Sequence, residues 1–461
     1  MDRSLYYTIY VLYRSLYRTI LMEKLRYVLS EWFEGELPEL VPRELPLGWR
    51  NTGLIVTLAG VRRGGKTYLL YQMIGHLREE EPRENIIYVN FEDDRLYPIE
   101  GNEVSELLDT FLRNFSYEAD RPLYLFLDEV QNIPNWEATV RRLHDRNRNL
   151  RMFLTGSSSK LLSSEVASSL RGRTLSHIVY PLSFKEFLKF KGFELGEVDG
   201  LPYSPRRNEL IRLFNEYLEF GGFPQVVLEE QKAEILREYY RAIFYRDIVE
   251  RYEVRNVRLF ENFLKLLVQN MGDRFSYGKV QRFLRSIGFP VSKNTLMEYM
   301  GMAKSAFMCD EVPIFSRSVK DQMQYPRKVY IIDNGLRNAV CFRSSRDLGK
   351  LLENVVFWEL RRRSKEVYYW TSRNGYEVDF VVWSGGRVEA LYQVCYELHD
   401  ERTRKREMRA SVRAMEEFGL GEATVLTYDQ FGGEEAGGRR IRFLPVWFWS
   451  LTDGRAPQGA S

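Results

Sequence analysis

Residues Gly60-Val61-Arg62-Arg63-Gly64-Gly65-Lys66-Thr67 have the spacing G-x-x-x-x-G-K-[ST]. The chemistry served by that spacing is polyphosphate binding. Backbone N–H groups of a glycine-rich loop surround the phosphate oxygens, and the helix that follows turns its positive end toward them. Gly60, Arg62, Arg63, Gly64, Gly65 and Tyr68 then frame the nucleotide, Lys66 reaches the outer phosphates, and Thr67 offers its hydroxyl to Mg²⁺. A pair of carboxylates, Asp128-Glu129, closes the apolar run Leu123-Tyr124-Leu125-Phe126-Leu127. Asp128 suits a metal-holding role, and Glu129 suits orienting and deprotonating a water. A Glu directly after the Asp points to hydrolysis by an additional-strand ATPase rather than to a small-molecule kinase. Thr155 and Ser157 end a further apolar run, where a polar side chain can sense the terminal phosphate. Asn90 ends another and is expected to hydrogen-bond Glu129 and restrain it. Arg171 and Arg173 are candidates for an arginine finger, reaching across a subunit interface of a homo-oligomer. ATP with Mg²⁺ is the expected cofactor pair, although no readable motif selects adenine over guanine.

A second constellation lies near the C-terminus. A Glu on a helix, an Asp opening a strand and E-x-K on the next strand make a metal-dependent nuclease site, in which the carboxylates bind Mg²⁺ and the Lys polarises water. Glu353 and Asp379 fill the first two places, but the third reads Gln393-Val394-Cys395. Cysteine supplies no permanent cation, so a nuclease fold with a damaged site is expected. Two helices could meet DNA or another nucleic acid. Lys293 and Asn294 begin the second helix of a helix-turn-helix, where side chains face base edges. Arg402, Arg406 and Arg409 share a charged helix with Arg404, Lys405 and Arg413. Glu298 and the lack of a basic run around Lys293 leave a winged helix packing between domains as the alternative there, and Glu401, Glu407 and Glu416 leave a solvated face as the alternative on the charged helix.

These residues need elements to position them. The continuous apolar runs at 54–59, 86–89, 123–127 and 152–155 alternate with helical stretches such as Tyr68 to Leu77, the signature of a parallel sheet covered on both faces. The expected fold is α/β: an AAA-type P-loop NTPase sheet with a helical lid, a winged helix and a C-terminal α/β nuclease-like domain. The divisions are an N-terminal helical segment at 1–45, the ATPase core at 46–180, the lid at 181–255, the winged helix at 256–342 and the inactive nuclease-like domain at 343–461. Within the winged helix, Lys279 to Ser286 and Lys293 to Ala303 are the helices and Gly288-Phe289-Pro290 the turn. Ser292 is the N-cap, and Met308 to Phe315 and Lys328 to Ile332 are the wing strands. Glycines 432–433 and 437–438 mark a late loop.

Composition bounds the remainder. At 461 residues the chain has room for several domains, and 44% hydrophobic with 28% charged residues is globular rather than disordered. A net charge of +3 is too small for a general nucleic-acid or membrane binder, so any such surface is local. Most of the positive charge is Arg, which suits bidentate phosphate contacts. Cys309, Cys341 and Cys395 are odd in number and widely spaced, which excludes a disulfide framework and points to a reducing, cytoplasmic setting. No stretch reaches the ~18 uninterrupted apolar residues of a membrane span. The aromatic N-terminus, Ser4 to Leu29, is broken by Arg14, Arg18, Lys24 and Arg26, which suits a docked amphipathic helix rather than a signal peptide, with a membrane-surface or partner helix as the alternative.

Taken together, the chain resembles the archaeal and bacterial AAA-type P-loop ATPases that carry a C-terminal domain of unknown function. Gly60 to Thr67, Leu127-Asp128-Glu129-Val130-Gln131, Leu154-Thr155-Gly156-Ser157 and Tyr180-Pro181-Leu182-Ser183-Phe184 carry the resemblance. So do Gly221-Gly222-Phe223-Pro224, Tyr245-Arg246-Asp247-Ile248, Tyr325-Pro326-Arg327-Lys328-Val329-Tyr330 and Glu377-Val378-Asp379-Phe380. The resemblance implies an ATP-binding core, a winged helix and a restriction-endonuclease-like domain whose usual E-V-K is Gln393-Val394-Cys395 here. The function this supports is ATP hydrolysis driving a conformational or assembly cycle on nucleic acid. A nucleotide-switched scaffold with negligible turnover, or an ATP-regulated nuclease, are the alternatives.

Overall fold

The apolar runs become strands because only a sheet buried on both faces can hide consecutive Ile, Val and Leu side chains. The computed structural model describes residues 3–101, 103–162, 164–341, 347–363, 365–398 and 400–452. It divides into two units, residues 1–179 and 180–461.

The first unit opens with α1 (Arg3–Glu34), longer than expected, followed by β1 (Ile55–Ala59), α2 (Lys66–Arg78), β2 (Ile86–Asn90), α3 (Glu103–Asn114) and β3 (Leu123–Asp128). It closes with α4 (Trp136–Arg146), β4 (Leu150–Gly156), α5 (Ser164–Ser169) and β5 (Thr174–Ile178). The sheet is wholly parallel in the order β2-β3-β4-β1-β5. The additional strand is thus β4, inserted between the strand that precedes the phosphate loop and the strand that ends in the carboxylates. Val56, Leu58, Met73, Ile74, Phe126 and Phe153 fill the core between sheet and α2, with Phe126 and Phe153 stacked at 4.4 Å. α1 docks on this body, as its amphipathic pattern predicts. Trp32 Nε1 donates to the Ile86 carbonyl at 2.7 Å, and Tyr17 donates to Glu103 at 2.7 Å. Among the described residues no helix is long and apolar enough to cross a membrane.

The fifth strand escapes a reading of apolar runs. Its sequence, Thr-Leu-Ser-His-Ile, is only half-buried, because it is an edge strand paired with β1 alone.

The second unit begins with α6 (Phe184–Phe190), α7 (Arg207–Phe220), α8 (Pro224–Leu228) and α9 (Lys232–Ala242), which runs on into a π-helix at Ile243–Glu250. Ser183 and Glu186 form a capping box at the start of α6. Next come α10 (Val257–Gln269), β6 (Arg274–Phe275), α11 (Tyr277–Ser286), α12 (Lys293–Ser305), β7 (Cys309–Val312), α13 (Val319–Gln324), β8 (Arg327–Ile331) and α14 (Asn334–Val340). The strands form an antiparallel sheet, β6-β8-β7. Ser292 caps α12 as expected, accepting from Thr295 N at 3.0 Å. The last part holds α15 (Leu348–Arg362), β9 (Glu366–Thr371), β10 (Glu377–Ser384), β11 (Arg387–Val394), α16 (Glu401–Phe418), β12 (Glu422–Thr427), β13 (Gly432–Ala436), β14 (Arg439–Pro445) and α17 (Val446–Leu451). Its sheet runs β13-β14-β12-β11-β10-β9. The late glycines are not a loop but a hairpin. Gly437 and Gly438, with φ of 59° and 72°, make the two-residue turn between β13 and β14.

Candidate functional site

The phosphate loop is built by close packing at the end of β1. A Cβ at Gly60 would lie 2.1 Å from the Val179 carbonyl oxygen, so only glycine lets the loop leave the sheet beside the exit of β5. Arg63 and Gly65 then bend the chain through positive φ, 65° and 95°. α2 begins at Lys66 with no side-chain cap, so its first N–H groups keep their capacity for an anion. Lys66 is buried. Its ammonium donates to the Gly60 and Val61 carbonyls at 3.1 and 3.2 Å and lies 3.4 Å from Glu129.

The carboxylates converge on the same point. Thr67 donates its hydroxyl to Asp128 at 2.7 Å, Tyr88 donates to the same oxygen at 3.0 Å, and Thr155 donates to the other oxygen. Burial pushes Asp128 up from the usual carboxylate range, and the neighbouring Glu129 charge adds to this, while the Thr155 and Thr67 hydroxyls oppose it. Glu129 behaves differently. Burial alone would raise it, but Lys66, Gln131 and Arg62 together outweigh burial and hold it below its ordinary value. The balance favours the charged form of this buried carboxylate, the form able to accept a proton, while the nearby cations lessen its basicity. A hydroxyl and a carboxylate in contact are also hard oxygen donors of the kind Mg²⁺ takes.

Several expected residues take other places. Asn90 does not hold Glu129: its side-chain oxygen accepts from Glu92 N at 2.8 Å, closing a turn at the end of β2. Gln131 holds Glu129 instead, and the same amide lies 3.5 Å from Ser157. Thr155 is no free sensor, because its hydroxyl donates to Asp128 and accepts from Glu129 N at 2.9 Å. Arg62 pairs with Glu92 at 2.9 Å. Tyr68 is exposed, its ring set edge-on to Tyr71. Arg171 and Arg173 precede β5, at the opposite end of the strands from the phosphate loop. Ile55 N, at the start of β1, donates to the Arg173 carbonyl at 2.7 Å, whereas the loop follows Ala59, four residues and ~13 Å further on. Arg173 pairs with Asp145 at 2.6 Å. Both belong to the loop that enters β5 at the end opposite the phosphate loop.

Tyr88, Gln131 and Arg43, which donates to the Gly64 carbonyl at 2.8 Å, were not expected at the site. A Tyr within an otherwise apolar strand was the available signal, since a buried phenol needs a partner.

A family model described as an AAA domain matches residues 52–188, and two domains of unknown function, DUF8612 and DUF4143, match 211–347 and 348–428. The uncharacterized protein MJ1544 of Methanocaldococcus jannaschii is 38% identical over 411 residues, 86% of this chain and 88% of that protein. The chain belongs to this AAA-domain family. An uncharacterized Haemophilus influenzae protein of the same kind is 30% identical over 356 residues, 76% of this chain and 84% of its own. Among solved structures, the Walker-type ATPase PABY2304 of Pyrococcus abyssi is similar at 16% identity and a TM-score of 0.41, covering 69% of this chain and 95% of its own.

The second constellation lies within the domain of unknown function that this AAA-domain chain carries at its C-terminus. Glu353 and Asp379 come together, but on an unforeseen residue, Lys328, at 2.9 and 2.7 Å. Burial alone would lower the Lys328 ammonium, yet Asp379, Glu353, Tyr330 and Glu377 hold it well above the ordinary lysine range. Gln393 accepts from Asp379 N at 3.1 Å and donates to Glu407 at 2.7 Å. Cys395 lies past β11, its thiol 3.1 Å from the Glu397 carbonyl. On the basic faces, Lys293 and Asn294 are exposed at the start of α12. Arg402 and Arg409 are exposed on α16 and make no ion pair among the described residues, whereas Arg406 pairs with Glu407.

Proposed function

We propose that this chain is an Mg²⁺-dependent ATPase whose hydrolysis cycle drives a conformational or assembly change on nucleic acid. The observation that carries the reading is the junction of Thr67 with Asp128, one residue from Glu129, whose carboxylate lies 3.4 Å from the Lys66 ammonium. Thr67 and Asp128 are the residues that would hold Mg²⁺, which would neutralise phosphate charge. The loop N–H groups and Lys66 bind the phosphates, and Glu129 takes the proton of the attacking water. The helix and strand order from α10 to β8, with its three-stranded sheet, supports a winged helix at 256–342, after a lid at 181–255 and the core at 46–180. Exposed Lys293 and Asn294 on α12, and Arg402 and Arg409 on α16, support nucleic acid as the partner. Met297 and Glu298 on the same exposed side of α12 dilute that face. The three cysteines are free, which suits the cytoplasm.

The decisive measurement is ATP turnover with and without DNA or RNA. Turnover accelerated by nucleic acid is the expected result. Turnover indifferent to it keeps the ATPase and removes the partner, while intact ATP affinity without turnover leaves a nucleotide-switched scaffold.

The position of Arg171 and Arg173, remote from their own loop, supports action on a neighbouring subunit. Arg171→Ala or Arg173→Ala should lower turnover by roughly a thousandfold with ATP affinity kept. Mixing that variant with a Lys66→Ala subunit, which lacks its own site but carries both arginines, should restore part of the rate. A mixture as inactive as its components would remove the shared site.

A further inference from the structure

The nuclease-like carboxylates imply a divalent ion, and the donors around them do not fit one. Lys328 is the second residue of β8, and its side chain is only 3% exposed. Its ammonium lies 2.7 Å from Asp379, 2.8 Å from Glu377 and 2.9 Å from Glu353. An ammonium has three N–H donors, and here three carboxylates receive them. The second oxygens of Asp379 and Glu377 are also engaged. Asp379 Oδ2 accepts from Val394 N at 2.9 Å, and Glu377 Oε2 accepts from Arg274 Nε at 2.8 Å. Tyr330, two residues along β8 and therefore on the same face, donates to Glu353 at 2.5 Å. Gln393, in the place of the usual Glu, is spent between Asp379 N and Glu407. The ladder between β10 and β9 slips register between Val378 and Val381, and Asp379 sits in that irregularity.

We propose that the Lys328 ammonium occupies the place of the divalent cation, so that the C-terminal domain keeps a nuclease site's carboxylates as a permanent, metal-free ionic latch. The lysine absent from position 395 has not been lost from the site. A cation enters from another strand, and in a position that binds the carboxylates rather than polarising a water. Its partners lie on β8, β10 and α15, so the latch ties the small antiparallel sheet to the C-terminal sheet. A role is thereby given to Lys328 in the Tyr325-Pro326-Arg327-Lys328-Val329-Tyr330 stretch, which ATP chemistry leaves unexplained.

The test uses the full chain without nucleotide and Mn²⁺ as the probe, read by the paramagnetic signal of bound ion and by thermal unfolding. Wild type and Asp379→Asn should bind the same amount of Mn²⁺, because the latch offers it no site. Lys328→Met leaves buried carboxylates without their cation. It should unfold on the order of 10 °C lower, gain one Mn²⁺ site and recover part of the loss when Mn²⁺ is added. Lys328→Met combined with Asp379→Asn should lack that extra site. A wild-type Mn²⁺ site that Asp379→Asn removes, or Mn²⁺-dependent DNA cleavage lost in Asp379→Asn, would overturn the proposal. Neither wild-type measurement depends on Lys328→Met folding. The readout is independent of ATP, so it stands or falls apart from the ATPase reading.

Discussion

On the ATPase reading, Glu129→Gln should stop turnover while ATP binding survives. The substitution keeps the size and planarity of the side chain and removes the group that can take a proton. General-base loss of this kind costs about 10²–10⁴ in rate. Phosphate release should fall by that factor, while titration with fluorescent ATP gives an unchanged affinity. The parental rate in this variant would show that another group activates the water. Two further readings sharpen the assignment. Because Lys66, Gln131 and Arg62 hold Glu129 below its ordinary range, the acid limb of the rate profile should lie below that of an unperturbed glutamate. Lys66→Ala gives the contrasting pattern. It removes the phosphate-binding ammonium and leaves the Glu129 carboxylate buried without its nearest cation, so ATP affinity itself should be lost.

The phosphate loop is legible in sequence because all its donors come from one short segment, Gly60 to Thr67, whose order is its geometry. Asp128 and Glu129 are legible because they close an apolar run. The rest of the site is assembled across strands, and sequence carries weaker traces of it. Tyr88 meets Asp128 only because β2 and β3 are neighbours in parallel register, with Asn90 opposite Asp128. Gln131 reaches Glu129 because the chain turns there through a positive φ of 52° at Glu129. Asn90 looked equally able to reach Glu129 on paper, but a local turn to Glu92 N claims its side chain. Position 395 presents the same lesson at longer range. Read along Gln393-Val394-Cys395 alone, the cysteine means a missing cation. The cation comes from β8, more than sixty residues earlier in the chain, and no local spacing announces it.

The pair Gly221-Gly222 and the single Asp333 show how such distant stretches become one structural element, and they predict a large loss of stability. Gly221 ends α7 with φ 73° and ψ −159°, a region open essentially only to glycine. A Cβ there would lie 1.9 Å from an Asp333 carboxylate oxygen. That carboxylate accepts from Gly222 N at 2.7 Å, from Gly335 N at 2.8 Å and from Leu336 N at 3.3 Å, so it caps α14 and ties it to the end of α7. Burial pushes Asp333 up to about 6, against the pull of those three N–H groups. Gly221→Ala therefore strains the backbone and displaces a buried acceptor with no other partner for its donors. Together these effects should cost about 3–5 kcal/mol. In a unit of this size that is a fall in Tm on the order of 10 °C. Gly301→Ala is the matched control. Gly301 lies in α12 with nothing within 4 Å of its added Cβ, so alanine should be neutral or stabilise by up to ~1 kcal/mol. Equal, small effects from both alanines would mean that the Gly221 backbone can relax away from Asp333, and that the two stretches are held together by something other than this carboxylate.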